Sequence, residues 1–426
     1  MNIDKLYSIY CQHPSVQTDT RKLKEGDIFF ALKGDNFNGN VFAKKALEAG
    51  AVCCVVDEDP GFVDSRLFLV EDVLIALQML AKKHREQFNI PFIAITGSNG
   101  KTTTKELIHA VLSTTFKTYT TEGNLNNHIG IPLTILKIQK DAEIAVIEMG
   151  ANHQKEIEGY CAYAQPTHGL ITNCGKAHLE GFGGEEGVKK GKGELFDYLK
   201  TTLGTIFIFN DYAYLQYMSM GAQTIISYGN NTDADVVGRI KSDQQFLEVD
   251  IIKGVSIDTI KSQLVGGYNL PNVLAAVCIG KTFGVAVEKI QIALEIYTPS
   301  NSRSQLLIKG SNAIILDAYN ANPSSMKLAI ENFAQMPGTH KILMLGGMME
   351  LGKDSHIEHL ALISLIKQYA WDEVVLVGEQ FAEIHENYLF FKSSTLAKEW
   401  FKAQQVTNSN ILVKGSRSMQ MEKVLD

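Results

Sequence analysis

The chain has 426 residues, 45% of them hydrophobic and 20% charged, with 47 acidic against 40 basic side chains and a formal charge of −7. That much apolar surface excludes a largely disordered chain. At roughly 150 residues per domain, the length suggests about three domains. Basic residues never run longer than pairs such as Lys44-Lys45, Lys82-Lys83 and Lys189-Lys190, which with the acidic balance excludes a sequence-independent nucleic-acid binder.

In chain order, residues 1–89 carry short strand-like runs at Ile28–Leu32, Ala51–Val56 and Leu67–Val70. A helix follows, with Val73, Ala76, Leu77, Leu80 and His84 at helical spacing. The opening residues, with Asp4 and Lys5, hold no apolar core of signal-peptide length. Pro91 marks a boundary. Residues 90–299 alternate apolar runs suited to buried parallel strands (Phe92–Thr96, Ile144–Glu148, Gly169–Thr172, Thr205–Phe209) with helical stretches, the rhythm of a doubly wound sheet. Around Ala234–Ile252 the pattern shortens and alternates, predicting a small antiparallel patch. Residues 300–426 repeat the α/β rhythm on a smaller scale, with strands at Ala313–Leu316, Lys341–Leu345, Glu373–Val377 and Asn410–Val413.

No run reaches the roughly 18 apolar residues of a membrane helix. Cysteines stand at 11, 53, 54, 161, 174 and 278 with no Cys-x-x-Cys pair, which argues against a zinc site and a disulfide framework. The expectation is a cytoplasmic protein with free, mostly buried thiols, no membrane insertion and no nucleic-acid partner.

The sharpest motif is Thr96-Gly97-Ser98-Asn99-Gly100-Lys101-Thr102-Thr103, between a strand and a helix that opens near Lys101. This is the setting of a P-loop, although only two residues separate the glycines. Gly97 and Gly100 let the backbone curl so that N–H groups face phosphate, and the helix N-terminus adds positive potential. Lys101 is placed to reach the terminal phosphates of ATP, and the Thr102 hydroxyl to bind Mg²⁺. Glu148 ends an apolar strand and so belongs at the carboxyl edge of the sheet, where ligands collect; it is the candidate acidic partner for the metal. His178 follows another strand by a short loop. A loop histidine alone reads as a surface or hydrogen-bonded residue, and only its place beside the other strand ends makes it a candidate. Of 35 glycines, six fall between Gly181 and Gly193, around Lys189, Lys190 and Lys192. The residues alone leave two readings of that cluster open, a mobile loop with solvated lysines or part of the site.

Together with Gly123–Pro132, Glu148–His153, Asp317–Pro323 and Lys414–Met419, these motifs resemble the Mur ligase family, the ATP-dependent amide-forming enzymes of peptidoglycan precursor synthesis, in all three segments. The resemblance implies a small α/β N-terminal domain over residues 1–89 that captures a UDP-linked substrate. It also implies a central P-loop domain over 90–299 and a C-terminal Rossmann-like α/β domain over 300–426. Within the family, the Asn-rich stretch and the last two motifs point to addition of D-alanyl-D-alanine to UDP-N-acetylmuramoyl-tripeptide through an acyl phosphate. A sister ligase for a diamino acid and a folylpolyglutamate-synthetase-like enzyme are the alternatives those stretches disfavour. A nucleotide-binding scaffold without catalysis is a third.

The resemblance assigns roles by residue. ATP falls to Gly97, Ser98, Asn99, Gly100, Lys101, Thr102 and Thr103, with Asn272 at the base, Asp317 at the ribose and Arg303 carried onto the phosphates. Two Mg²⁺ ions are implied, with Thr102, Glu148, His178 and Lys192 as ligands. A lysine 14 residues beyond the histidine is carbamoylated by CO₂ in relatives, which picks Lys192. Substrate contacts fall to Asp19, Thr20, Arg21, Lys33 and Asn36 in the first segment, then Asn124, Asn126, Asn127, Asn320, Asn322 and Arg417. Asn40 stands where relatives often carry a charged residue or histidine. A monomer is expected. His356 and His359 are read as a solvated helix face near the cleft.

Overall fold

A computed structural model describes residues 2–300 and 302–426. Met1 and Asn301, near which the third segment was expected to begin, lie outside the described residues. The first unit is a four-stranded parallel sheet in the order Val16–Gln17, Ile28–Phe30, Cys53–Val56, Leu67–Leu69, with a two-residue hairpin pairing Lys33–Gly34 with Phe37–Asn38. The helix predicted from apolar spacing is Val73–Arg85, capped by the Asp72 side chain on the Ile75 amide.

The second unit is a nine-stranded sheet. Five of its strands are Thr205–Phe209, His168–Ile171, Phe92–Thr96, Ile144–Glu148 and Thr118–Thr120, in that spatial order and all parallel. Every residue of Phe92–Thr96 and Ile144–Glu148 is buried, as strands covered on both faces require. The antiparallel strands expected near Ala234–Ile252 exist as Val236–Ser242, Glu248–Lys253 and Thr259–Lys261, but they are no separate patch. Val236–Ser242 pairs in parallel with Thr224–Gly229, so they extend the same sheet. Local alternation reports one exposed face and carries no information about which neighbour a strand joins.

The third unit is a six-stranded sheet in the order Gln305–Lys309, Asn312–Asp317, Asn410–Lys414, Lys341–Gly346, Glu373–Val377, Leu389–Phe391. Only its first pair is antiparallel. Gln305–Lys309 and Leu389–Phe391 escaped the sequence reading; both are half-buried edge strands with weak apolar runs.

The glycine cluster is ordered helix, not a loop. Leu179–Phe182 turns at Gly183 and Gly184 (φ 77° and 109°) into Glu185–Thr201. Gly187 is there for close approach, since a Cβ would lie 1.9 Å from the Phe182 carbonyl oxygen. His359, expected on a solvated face, is fully buried. Its Nε2 accepts from the Met348 amide at 3.0 Å, so Nδ1 carries the proton and donates to the Ser355 carbonyl at 2.7 Å. His356 is exposed as expected. All six cysteines are free, four of them buried. Among the described residues no helix is long and apolar enough to cross a membrane.

Arg85 fastens the first unit to the second. Its guanidinium donates to the carbonyls of Ala164 (3.0 Å), Phe88 (2.8 Å) and Gln165 (2.9 Å) and lies 3.8 Å over the Phe92 ring. Truncation orphans three carbonyls at a buried seam. Arg85→Ala should therefore lower stability by about 2–5 kcal/mol, read as a drop in the urea midpoint; an unchanged midpoint would contradict this role.

Candidate active site

The site lies at the carboxyl ends of parallel strands from the second and third sheets, which open onto one cavity. A cavity of about 660 Å³ is lined by Ser98 through Thr103, Asn126, Asn127, Glu148, His178 and Asn272 from the second unit, and by Arg303, Asp317, Asn320 and Asn322 from the third. Carboxyl ends of parallel strands are where such sheets bind ligands.

The loop is built as its glycines require. Gly97 and Gly100 have φ of 142° and 80°, and a Cβ on Gly97 would meet the Thr172 hydroxyl at 2.0 Å. Asn173 braces the loop, accepting the amides of Ser98 (at its carbonyl, 2.9 Å) and Asn99 (at Oδ1, 3.0 Å), while the Ser98 hydroxyl donates to the Gly175 carbonyl. Two loop amides are therefore engaged within the protein. Those of Lys101, Thr102 and Thr103, in the first turn of the helix Lys101–Leu112, have no intrahelical partner. Lys101 folds back onto the carbonyls of Gly97 (2.6 Å) and Ser98 (3.3 Å). Desolvation holds its ammonium below the usual lysine range, with Glu148 opposing and Arg303 reinforcing the effect.

Glu148 is almost wholly buried. Its backbone N–H donates to the Thr121 hydroxyl at 3.0 Å, and its Oε1 accepts from Thr102 Oγ1 at 3.1 Å and Asn126 Nδ2 at 2.8 Å. Its Oε2 has no protein partner. A buried carboxylate oxygen left in that condition costs free energy unless a cation or donor meets it.

Lys192 projects from Glu185–Thr201 and is 1% exposed. Its ammonium donates to the Ala151 carbonyl at 2.9 Å and lies 4.8 Å over the Phe182 ring. Desolvation, then repulsion from Lys101, lowers it to about 7. An amine with that value is substantially neutral, hence nucleophilic, at physiological pH.

His178, in the left-handed region at φ 53°, faces Glu350 of the third unit at 2.5 Å rather than Thr102, Glu148 or Lys192. Other contacts join the two units over the loop. Asn322 Nδ2 donates to Asn99 Oδ1 (2.8 Å), the Lys176 amide donates to Ser324 Oγ (3.0 Å), and Lys176 Nζ pairs with Glu358 (2.6 Å). Asn322 also caps the helix Pro323–Gln335, accepting the Ser325 amide. Asn272 accepts from the Thr104 hydroxyl (3.0 Å) and donates to Asn269 Oδ1 (2.8 Å), so it is buried directly behind Gly100. Asn269 holds the N-cap position of Leu270–Thr282, yet its side chain donates to the Val265 carbonyl instead of capping.

The first-unit candidates stand apart from this cavity. Asp19 and Arg21 form an exposed pair at 2.7 Å, which holds the Asp19 carboxyl at about 2, and Thr20 lies between them. Lys33 pairs with Asp57 and Glu58, both at 3.2 Å, and Asn36 is at the tip of the neighbouring hairpin. Asn40, the departure from relatives, is buried, donating to Asp57 Oδ1 at 2.8 Å and accepting the Asp57 amide at 3.1 Å, and so has a structural role. Asn124 is exposed beside the cleft, and Asn127 caps Gly130–Leu136 through the Gly130 amide. Arg417 pairs with Glu422 at 3.1 Å and reaches toward Tyr319. Sequence reasoning missed Tyr319, whose ring lies 3.6 Å beneath the Arg303 guanidinium, and Lys414, paired with Asp317 at 2.5 Å. Lys414 carried a usable signal, because it ends the apolar run Ile411-Leu412-Val413 as Glu148 ends its own strand.

No three His, Cys, Asp or Glu side chains converge as a metal cage among the described residues. The groups available to a cation are of mixed type. A carboxylate oxygen without a partner and the Thr102 hydroxyl touching the same carboxylate are hard oxygen donors, the chemistry Mg²⁺ requires, whereas Lys192 presents an amine.

Three family models match successive parts of the chain: "Mur ligase family, catalytic domain" over residues 14–85, "Mur ligase middle domain" over 95–280 and "Mur ligase, glutamate ligase domain" over 302–417. A Bacillus subtilis (strain 168) protein named UDP-N-acetylmuramoyl-tripeptide–D-alanyl-D-alanine ligase is 37% identical, covering 96% of this chain and 92% of its own. The Escherichia coli (strain K12) protein of that name is 35% identical over the same shares. A crystal structure of MurF from Acinetobacter baumannii superposes with a TM-score of 0.87 at 30% identity, covering 96% of this chain and 92% of that one. MurF ligase from Thermotoga maritima in complex with ADP gives a TM-score of 0.86 at 28% identity and 96% of both chains. A Thermotoga maritima folylpolyglutamate synthase, at 13% identity, shares the fold (TM-score 0.61). With relatives of this identity over nearly its whole length and family matches in all three units, the chain belongs to the Mur ligase family.

Proposed function

We propose that this chain is an ATP-dependent ligase that joins D-alanyl-D-alanine to UDP-N-acetylmuramoyl-tripeptide, giving the pentapeptide precursor, ADP and phosphate. The observation that carries the reading is the single cavity lined both by the phosphate loop and by Arg303, Asp317, Asn320 and Asn322. The acceptor and the acyl substrate are taken from the names of the relatives.

A carboxylate is a poor acylating agent, so the reaction runs in two steps. The terminal carboxylate of the tripeptide attacks the γ-phosphorus of ATP, the bond to the β-bridging oxygen breaks, and ADP leaves. The dipeptide amine then attacks the acyl carbon, loses a proton, and phosphate departs. The protein's part is positioning and charge neutralisation. Lys101 and the amides that open its helix hold the β- and γ-phosphates. Asn272 closes the base side, Asp317 takes the ribose, and Arg303, supported on Tyr319, meets the phosphates. Asn126 and Thr102 orient Glu148, while Asn320, Asn322, Asn124, Asn127 and Arg417 face the acyl substrate and the incoming dipeptide. Residues 1–89 hold the UDP moiety through Asp19, Thr20, Arg21, Lys33 and Asn36. Residues 90–299 then carry ATP and metal, and 300–426 close the cleft.

Mg²⁺ fits the donor set described above, with Thr102, Glu148, His178 and Lys192 as the residues that would hold two ions. Bound there, the metal supplies neutralisation of phosphate charge. Lys192 serves as a carbamate: its neutral amine attacks CO₂ and releases a proton, replacing a buried cation with an anionic oxygen ligand. His178 leaves Glu350 to take its place. The active unit is a monomer, and it works in the cytoplasm, where ATP and UDP-linked precursors are available.

Phosphate release from ATP should require UDP-N-acetylmuramoyl-tripeptide and D-alanyl-D-alanine together; release with a diamino acid and the dipeptide precursor instead would overturn the assignment. Lys192→Ala should lower ligation by about a hundredfold or more, with short-chain carboxylates restoring part of it. A mutant at the wild-type rate would rule out the carbamate. Lys101→Ala should remove ATP turnover and leave binding of the UDP substrate within about threefold, because that site lies in another unit. Calorimetric loss of UDP-substrate binding would show instead that the substitution had damaged the fold.

A further inference from the structure

Lys414 is 2% exposed at its side chain, and its one anionic partner among the described residues is Asp317, at 2.5 Å. The pair is set by sheet register: Asp317 and Lys414 are direct partners on adjacent parallel strands, each the last residue of its strand. Lys414 also reaches the Asn320 carbonyl at 3.4 Å, so it ties the strand end to the turn that follows. Asp317 Oδ2 takes the lysine, and Oδ1 takes the Ser304 amide at 3.1 Å. Ser304 is in turn bonded to Tyr268 at 2.9 Å. Both carboxylate oxygens are thus held from the protein side, while Asp317 and Lys414 line the cavity. A carboxylate has about four lone-pair sites, so two acceptor positions remain for a ligand with adjacent hydroxyl groups.

We propose that Lys414 is a positioning residue that holds Asp317 in the one orientation able to accept both ribose hydroxyls of the nucleotide, and so sets selectivity for a ribonucleotide. The inference rests on the reading of Asp317 as the ribose partner. Without the ammonium, only the Ser304 amide holds the Asp317 carboxylate, which can then turn toward water so that its contact with the diol is averaged away. Lys414 acts on the nucleotide through Asp317, so its loss falls on nucleotide KM rather than on kcat.

The test compares ATP with 2′-deoxy-ATP and 3′-deoxy-ATP in the full-length enzyme. Lys414→Met should raise KM for ATP about tenfold and bring the three nucleotides within about twofold of one another, as expected for loss of hydrogen bonds to a charged acceptor. Lys414→Arg should recover most of the discrimination. A merely structural lysine would, when removed, weaken all three nucleotides equally and leave their ratios unchanged, which would overturn the proposal. Asp317→Asn is the control: if it retains discrimination, the ribose reading of Asp317 fails and the proposal with it. If it loses discrimination while Lys414→Met keeps it, only the role of Lys414 falls. Should Lys414→Met fail to fold, the charge-neutral double variant Asp317→Asn/Lys414→Met replaces it. Its effect on nucleotide KM should equal that of Asp317→Asn alone, and a clearly larger loss would overturn the coupling.

Discussion

The cleft depends on a carboxylate kept out of water. Glu148 ends a strand buried throughout, and Thr102 and Asn126 satisfy one of its oxygens while the other meets no protein donor. Such an arrangement is unfavourable in isolation and is relieved by a cation or a hydrogen-bond donor entering the cavity. Its surroundings follow from that need. The loop before Lys101 is braced by Asn173 so that the helix N-terminus faces the same space, and the basic groups nearby are few and individually placed.

Lys192 is the complementary case. It is a buried amine with no carboxylate in ion-pair contact among the described residues, and desolvation has already moved it toward neutrality. Burial and repulsion from Lys101 disfavour the ammonium and leave the neutral amine, the form from which the proposed carbamate is made. The helix packing that achieves this needs a glycine: Gly187 lets Glu185–Thr201 lie against Phe182, the ring that floors the Lys192 amine.

At the loop the second and third units meet through short polar contacts, and one apolar cluster continues from the second unit into the third. Asn99–Asn322, Lys176–Glu358 and His178–Glu350 are each single pairs, mostly part-exposed, and such pairs contribute little stability individually. By contrast, the first unit is tied to the second by Arg85, a buried guanidinium with three carbonyl acceptors, and that seam is built to stay shut.

The sequence by itself determined the strands that are apolar on both faces, the glycine-lysine loop between strand and helix, and the polar residues that must lie at strand ends. Those features are local, and periodicity and turn chemistry report them directly. Phe92–Thr96, Ile144–Glu148 and the helix Val73–Arg85 were legible for that reason. Only the tertiary structure decided the rest, because it depends on neighbours distant in sequence. The antiparallel strands joined the large sheet, His359 was buried by the chain around Met348, and the glycine cluster was drawn into helix against Phe182. Lys414 met Asp317 across a strand pairing 97 residues apart in sequence, and His178 turned to Glu350. A charge's partner is set by which backbones come to lie side by side, and no local pattern in the chain records that.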